Sequence, residues 1–180
     1  MKNKERQYTT KETIAHCDGS HIQYMWHPFL IPKNITATQV YGFFITEDNL
    51  VCLVRDKDEN FFTPVGGGIE KNETPKSAFI RESKEEAQIV PVDIILLGSL
   101  EVIVTDKQGN TKEHCLQVRY ICKAKNIKKF VPLKNGFEII ERIFIFYKDL
   151  PDFVKYMEKY KTGMIQYSMI VDYIEGEIAL

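Results

Sequence analysis

The chain has 180 residues, of which 44% are hydrophobic and 27% are charged, a composition typical of a globular protein that buries a core. Its net charge of −1 excludes a strong overall attraction to a nucleic-acid backbone or an anionic membrane. No apolar run approaches the roughly 18 residues that a membrane helix needs. We therefore expect neither a nucleic-acid polymer nor a membrane as a partner.

The first residues and the cysteines indicate the cellular compartment in which we expect the protein. Residues 1–6 are mostly charged and lead into no apolar stretch of the signal-peptide type. The cysteines, which form no C-x-x-C pair, are Cys17, Cys52, Cys115 and Cys122. The last three lie in apolar runs, which is typical of small buried side chains rather than of a disulfide framework. These features predict a cytoplasmic protein.

Residues 1–36 are predicted to form an N-terminal extension, and residues 37–180 to form one domain with helices at its C-terminal end. The extension is polar at first and then aromatic, with Tyr24, Trp26 and Phe29 close together. Such side chains can pack on the domain, stack on a base or cover a second subunit in a homodimer. A zinc site is a weaker alternative, because the spacing of its candidate ligands matches no known pattern: His16, Cys17, His21 and His27.

The rest of the chain alternates strand-like and helix-like patterns. Residues 40–45 and 50–54 predict a hairpin, and the short run 61–65 ends at three glycines. A helix is predicted over 75–88, and strands over 92–104, 116–122 and 139–147. Two more helices are predicted over 152–160 and 165–174. Strands on both sides of a central helix favour an α/β or α+β layered domain.

The central helix carries the first candidate for chemistry. Thr74 followed by Pro75 is a helix-start signal. Glu82, Glu85 and Glu86 then stand at i, i+3 and i+4, which places three carboxylates on one helical face. Arg81 and Lys84 are expected to lie off this face, so the three charges repel one another unless a cation lies among them. All-oxygen ligation favours Mg²⁺ or Mn²⁺ over zinc.

Three glycines, Gly66, Gly67 and Gly68, precede this helix. A backbone without Cβ atoms can approach a ligand closely and offer its own N–H and C=O groups. A carbonyl near Gly66 or Gly67 can complete the coordination of a metal, and nearby amides can face phosphate oxygens. Glycines beside a carboxylate-rich helix therefore suggest a site for a metal and a pyrophosphate. Taken singly, however, an acidic helix is most often a solvated surface, and a glycine triplet is most often a turn.

Together these residues resemble the Nudix box of the MutT-like hydrolases. The match consists of Gly67, Glu73, Arg81, Glu82, Glu85 and Glu86 at the spacing of the box. Six identities at fixed spacing arise by chance on the order of 10⁻⁷ per window. The resemblance implies an α/β/α sandwich with a mixed β-sheet and extends over about residues 37–160. Ser83 and Gln88 depart from the pattern, which has an aliphatic residue and a glycine at these two positions.

The resemblance also implies roles for individual residues. Glu82, Glu85 and Glu86 would bind Mg²⁺ (or Mn²⁺) together with the carbonyl of Gly66, and Gly66–Gly68 would face the substrate phosphates. Glu73 and Arg81 would form a structural ion pair. The general base would be a helix carboxylate or a glutamate from a later loop, for which the candidates are Glu138 and Glu141. Either of these two is more often an ordinary exposed charge at the edge of a strand.

The implied activity is hydrolysis of a phosphoanhydride bond in a small nucleoside-diphosphate derivative. Marks typical of ADP-ribose, dinucleoside-polyphosphate and NADH hydrolases are absent, including a proline near Val104 or Thr105 and a tyrosine near Asp106. This leaves nucleoside triphosphates or nucleotide sugars by elimination. A nucleotide-sensing module without catalysis remains an alternative, although it would not need three acidic ligands. Isomerisation of an allylic diphosphate is another, but its cysteine and glutamate pair has no counterpart that we can assign.

Overall fold

The computed structural model describes residues 8–125, 127–132 and 139–178, and its strands form one mixed sheet. The strands are β1 (Thr10–Ala15), β2 (His21–Pro28), β3 (Ala37–Ile45), β4 (Leu50–Asp56), β5 (Val65–Gly68), β6 (Pro91–Thr105), β7 (Thr111–Ala124) and β8 (Ile139–Phe146). Their order is β1-β2-β6-β7-β3-β4-β8, and β5 pairs with β3. The pair β3–β7 is parallel and the other pairs are antiparallel. The predicted mixed sheet is thereby confirmed.

Helices cover both faces of this sheet. They are α1 (Pro75–Glu86), α2 (Leu150–Phe153), α3 (Tyr156–Lys159) and α4 (Lys161–Ile174). Alternate residues of β3 enter opposite cores, Phe44 the core that contains Phe79 of α1 and Phe43 the core that contains Met169 of α4. Because successive strand residues point to opposite faces, a strand that is covered on both sides is apolar throughout. The architecture is therefore an α/β/α sandwich, as expected.

Two elements differ from the sequence expectation. The glycines do not simply end a strand, because Val65–Gly68 itself forms β5, with Gly66 opposite Tyr41 of β3. The helix predicted over 152–160 is wrong as a single element. It is split into α2 and α3 because Val154, which is buried, leaves the helical conformation with φ −109° and ψ 80°. The last predicted helix is present and begins earlier than expected, at Lys161.

Residues 8–28 are built into the sheet. β2 pairs with β6 along its full length, and β1 continues the sheet beyond β2. Trp26 is fully buried, and its indole N–H contacts the sulfur of Met169 at 3.2 Å. Glu12 of β1 accepts hydrogen bonds from the backbone N–H groups of Lys161 and Thr162, so it caps the start of α4. Strands β1 and β2 thus hold α4 against the sheet.

The other N-terminal aromatic residues are less buried than Trp26. Phe29 is 46% exposed, whereas Tyr24 is half-buried with its ring 6.0 Å from that of Tyr160. His27, a weak candidate for a metal ligand, contacts the carboxylate of Glu101 at 2.7 Å. Within the described ranges, no helix is long and apolar enough to cross a membrane.

Candidate active site

The start of α1 is fixed by local interactions. The hydroxyl of Thr74 accepts a hydrogen bond from the backbone N–H of Ser77, and the Ser77 hydroxyl accepts one from the backbone N–H of Thr74. Pro75 occupies the first turn, where its missing N–H removes no helical hydrogen bond. The register of the helix is therefore set at its first turn, which determines the direction in which the later glutamates project.

Strand β5 lies so close to β3 and α1 that a side chain is excluded at Gly66 and would displace the Glu82 carboxylate at Gly67. A Cβ atom on Gly66 would lie 2.0 Å from the carbonyl oxygen of Val40. A Cβ atom on Gly67 would lie 2.6 Å from Oε1 of Glu82. The backbone of β5 is thus in direct contact with a carboxylate of the acidic helix. This contact brings together two of the groups that the sequence assigned to one site.

Glu86 contacts the same strand. Its Oε2 accepts a hydrogen bond of 2.8 Å from the backbone N–H of Gly66. Burial raises the pKa of Glu86 to about 8, and the negative charges of Glu82, Asp56 and Glu85 add to this effect, while the Gly66 N–H opposes it. Glu86 is therefore a carboxyl group that is poorly stabilised as an anion by the protein alone.

Arg81 lies among the carboxylates, contrary to the expectation that its charge would fall off the acidic face. Its Nη1 donates to Glu82 at 2.8 Å and to Glu85 at 3.1 Å. The expectation was based on Cα positions, whereas the long arginine side chain reaches residues one and four positions along the helix. Burial raises the pKa of Glu82, and the contact with Arg81 partly offsets that rise.

The remaining nitrogens of Arg81 connect the helix with the loop before it. Nε and Nη2 donate to the two oxygens of Glu73, at 3.0 and 2.9 Å, and Nη2 also donates to the carbonyl of Gly68. Glu73 in turn accepts from the backbone N–H of Glu70. The hydrogen bonds from Arg81 lower the pKa of Glu73. This forked ion pair joins the glycine strand, the following loop and the helix.

The carboxylates of Glu82, Glu85 and Glu86 and the nearby glycine carbonyls are oxygen ligands of the kind that a hard divalent cation prefers. In this structure the carboxylates of Glu82 and Glu85 face Arg81 instead of pointing at one common centre. Among the residues that the structure describes, no three His, Cys, Asp or Glu side chains are placed so as to hold a metal ion. Instead, the Nη1 of Arg81 is the cation that Glu82 and Glu85 contact. These two contacts can be released while Nε and Nη2 keep three hydrogen bonds. Carboxylate oxygens with raised pKa values, as in Glu82 and Glu86, suit Mg²⁺ or Mn²⁺.

The two departures from the box each have a local explanation. Ser83 is fully buried, and its hydroxyl donates to the carbonyl of Phe79 one turn earlier. Gln88 has φ +54°, the left-handed conformation in which glycine is favoured. Its side-chain amide donates to the carbonyl of Val131 and accepts from the N–H of Val131, at 2.6 and 3.2 Å. Glycine could not make these two hydrogen bonds.

These contacts predict an order of stability at position 88. Gln88→Ala should lower the free energy of unfolding by about 1–2 kcal/mol, because it keeps the left-handed strain and loses both hydrogen bonds. Gln88→Gly should be nearly neutral, because the relief of about 1 kcal/mol of strain offsets that loss. Urea unfolding of the two variants measures the difference. Equal destabilisation by alanine and glycine would contradict the role of backbone strain.

The structure describes one of the two candidate bases from the later loop. Glu138 lies outside the described residues. Glu141 pairs with Arg55 of β4, whose Nη2 is 2.7 Å from the glutamate carboxylate. Asp56, which the sequence analysis did not select, is close enough to Glu86 to raise its pKa. It follows Arg55 at the end of β4, and its position is defined only once the strands are paired.

The fold and the site together form an α/β/α sandwich in which a glycine strand lies against an acidic helix. The family model described as NUDIX domain matches residues 36–161, and the chain belongs to this family. It is accordingly a Nudix hydrolase.

Solved structures share this fold at low sequence identity. The Bacillus subtilis pyrophosphohydrolase BsRppH has a TM-score of 0.60 and 13% identity, covering 92% of this chain and 97% of its own. A UDP-X diphosphatase has a TM-score of 0.57 and 21% identity, covering 80% and 65%. The E. coli dihydroneopterin triphosphate pyrophosphohydrolase has a TM-score of 0.55 and 14% identity, covering 76% and 99%. A comparison with curated proteins gave no match.

Proposed function

We propose that this chain is a Mg²⁺- or Mn²⁺-dependent pyrophosphohydrolase whose substrate is a nucleoside diphosphate linked to another group. The observation that carries the proposal is the position of Glu86. Its carboxylate is hydrogen-bonded to the glycine strand, and its pKa is raised to about 8 by burial and by neighbouring acids. A group in this position is stabilised as an anion when a cation binds beside it.

Each residue of the site has a separate proposed role. Glu82, Glu85 and Glu86, with the carbonyl of Gly66, would hold the metal, and Gly66–Gly68 would face the diphosphate. When bound, a divalent cation neutralises charge on the diphosphate and lowers the pKa of a water molecule. Arg81, held by Glu73, would keep the helix and the glycine strand in register.

A proton must also leave the attacking water. One of the helix carboxylates is a candidate to accept it. Glu138 remains the candidate from the later loop. Glu141 is a weaker one, because its carboxylate is already paired with Arg55.

Nucleoside triphosphates and nucleotide sugars are the substrate classes that we propose. Three of the similar structures bear the names pyrophosphohydrolase, diphosphatase and triphosphate pyrophosphohydrolase, which supports cleavage of a phosphoanhydride bond. The alternative is a nucleotide-sensing module that does not cleave its ligand. A cytoplasmic location is also proposed, because all four cysteines are free thiols.

The test is release of phosphate or pyrophosphate from nucleoside triphosphates, nucleotide sugars, ADP-ribose and dinucleotides, with Mg²⁺ and with EDTA. We expect turnover that requires the metal and that identifies the substrate class. Absence of turnover together with thermal stabilisation by one of the compounds would favour the sensing module. Turnover that continues in EDTA would contradict the metal site.

A further inference from the structure

A second polar site lies on the face of the sheet that carries α3 and α4. Two adjoining cavities, of about 180 and 200 Å³, share Gln117, Arg119 and Tyr156 in their walls. Tyr24 lines the first cavity and Pro64 lines the second. Neither cavity includes a residue of the Nudix box, so the role of this site is not explained by the box.

Arg119 carries a buried positive charge in this site. The residue is 5% exposed, and its guanidinium carbon lies 4.4 Å from the centre of the Tyr41 ring. Nη2 donates to Oε1 of Gln117 at 2.8 Å. Nε and Nη1 are buried without a hydrogen-bond partner among the described residues, which leaves three N–H groups unsatisfied. No carboxylate in the described ranges forms an ion pair with this guanidinium.

Tyr156 adds another unsatisfied group. Its hydroxyl is buried and has no hydrogen-bond partner in the part of the chain that the structure describes. Burial raises the pKa of Tyr156, and the positive charge of Arg119 and a polar contact with its side chain oppose that rise. The hydroxyl therefore lies beside the guanidinium, although no hydrogen bond of good geometry joins them. Buried polar groups are almost always hydrogen-bonded, and buried charges are almost always paired. Several unsatisfied donors in one place therefore indicate a ligand.

The register of the sheet relates this site to the glycine strand. Tyr41 of β3 lies opposite Gly66 on one side and beside Arg119 on the other. Since neighbouring strands are about 4.8 Å apart, the backbones of Gly66 and Arg119 are separated by about 10 Å. Pro64 directly precedes β5. Arg119 lies on the face that carries α3 and α4, so a substrate bound at the glycines would reach it past Pro64, which lines the second cavity.

We propose that Arg119 and Tyr156 bind a phosphate group of the substrate that is not cleaved. The inference rests on the proposed function, because it places this phosphate beside the hydrolytic site. A phosphate offers enough oxygens for the three N–H groups and the hydroxyl, and its charge neutralises the guanidinium. A neutral base or water molecules could accept hydrogen bonds here, but they would leave the charge of Arg119 uncompensated.

The experiment compares wild-type protein with Arg119→Met, using inorganic phosphate and pyrophosphate as probes. Thermal stability and calorimetric binding are measured in EDTA, so that the metal site does not contribute. We expect both probes to stabilise the wild type and Arg119→Met to bind them about 100-fold more weakly. Lys11→Met removes the same charge from an exposed position of β1 and should bind like the wild type.

The Arg119→Met variant also separates a binding role from a structural one. Without a probe, it should be at least as stable as the wild type, because an unpaired buried charge is replaced by an apolar side chain of similar length. A marked loss of stability with unchanged binding of phosphate would overturn the proposal. Stabilisation of the wild type by adenosine or guanosine, but not by phosphate, would overturn it in favour of a base pocket.

Failure of the proposed hydrolase and failure of the phosphate site give different results. If no compound is hydrolysed with Mg²⁺, but phosphate binding in EDTA depends on Arg119, the phosphate site stands without the hydrolase. If hydrolysis is normal in Arg119→Met and neither probe binds the wild type, the hydrolase stands and the phosphate site is wrong.

Discussion

Glu86→Gln is expected to reduce metal-dependent turnover by about 10³-fold while the protein remains folded. The amide keeps the size of the side chain, so Gly66 retains an acceptor for its N–H, but it cannot carry a negative charge. The rate is measured with the best substrate of the panel at saturating Mg²⁺. A variant that retains the wild-type rate would contradict the assignment of the site.

The same variant should alter how stability depends on pH in EDTA. Glu86 has a folded pKa of about 8 against an ordinary value of 4.5. Between these values the folded protein keeps a proton that the unfolded chain loses, so the stability of the wild type falls as pH rises. Glutamine cannot ionise, and Glu86→Gln should therefore gain melting temperature over the wild type from pH 5 to pH 8. A difference that is constant with pH would contradict the raised pKa.

Arg81→Ala is expected to lower both activity and stability. It removes the forked pair with Glu73 and the contacts with Gly68, Glu82 and Glu85. We expect a melting temperature lower by about 5 °C, because several buried or half-buried acceptors lose their donor together. Calorimetry and the rate assay measure the two effects on the same preparation.

Arg81→Lys is the matched control, since it keeps the charge but cannot donate two parallel hydrogen bonds to Glu73. If the two parallel hydrogen bonds to Glu73 stabilise the fold, Arg81→Lys should restore less than half of the melting temperature that Arg81→Ala loses. A loss of activity in Arg81→Ala with unchanged melting temperature would instead mean that Arg81 contacts the substrate.

Local signals in the sequence predicted the acidic helix well. Its start depends on Thr74, Pro75 and Ser77, which are neighbours in the chain, so its register could be predicted without the fold. The position of the Arg81 side chain could not be predicted in this way. Whether it extends into solvent or toward the carboxylates depends on Glu73, which lies before the helix. For the same reason β5 was missed as a strand, since its partner β3 is distant in sequence.

The sequence contains only a weak indication of the proposed phosphate site around Arg119. Arg119 lies between Val118 and Tyr120 in the mostly apolar run 116–122, which is an unusual place for a charge. The strand pattern places Arg119 on the opposite face from these neighbours, but it does not identify Tyr41 or Tyr156 as the residues around it. Tyr41 is brought beside Arg119 by the parallel pairing of β3 with β7, and Tyr156 by the packing of α3 on the sheet.

The attachment of β1 and β2 to α4 has a consequence for how the protein folds. Tyr8 donates a hydrogen bond to Asp172, across 164 residues of chain, and Glu12 caps a helix that starts at Lys161. Contacts between such distant segments form late, because closing a long loop is entropically unfavourable. During synthesis on a ribosome, β1 and β2 can pair with β6 first, and their contacts with α4 form only after Lys161–Ile174 has been made.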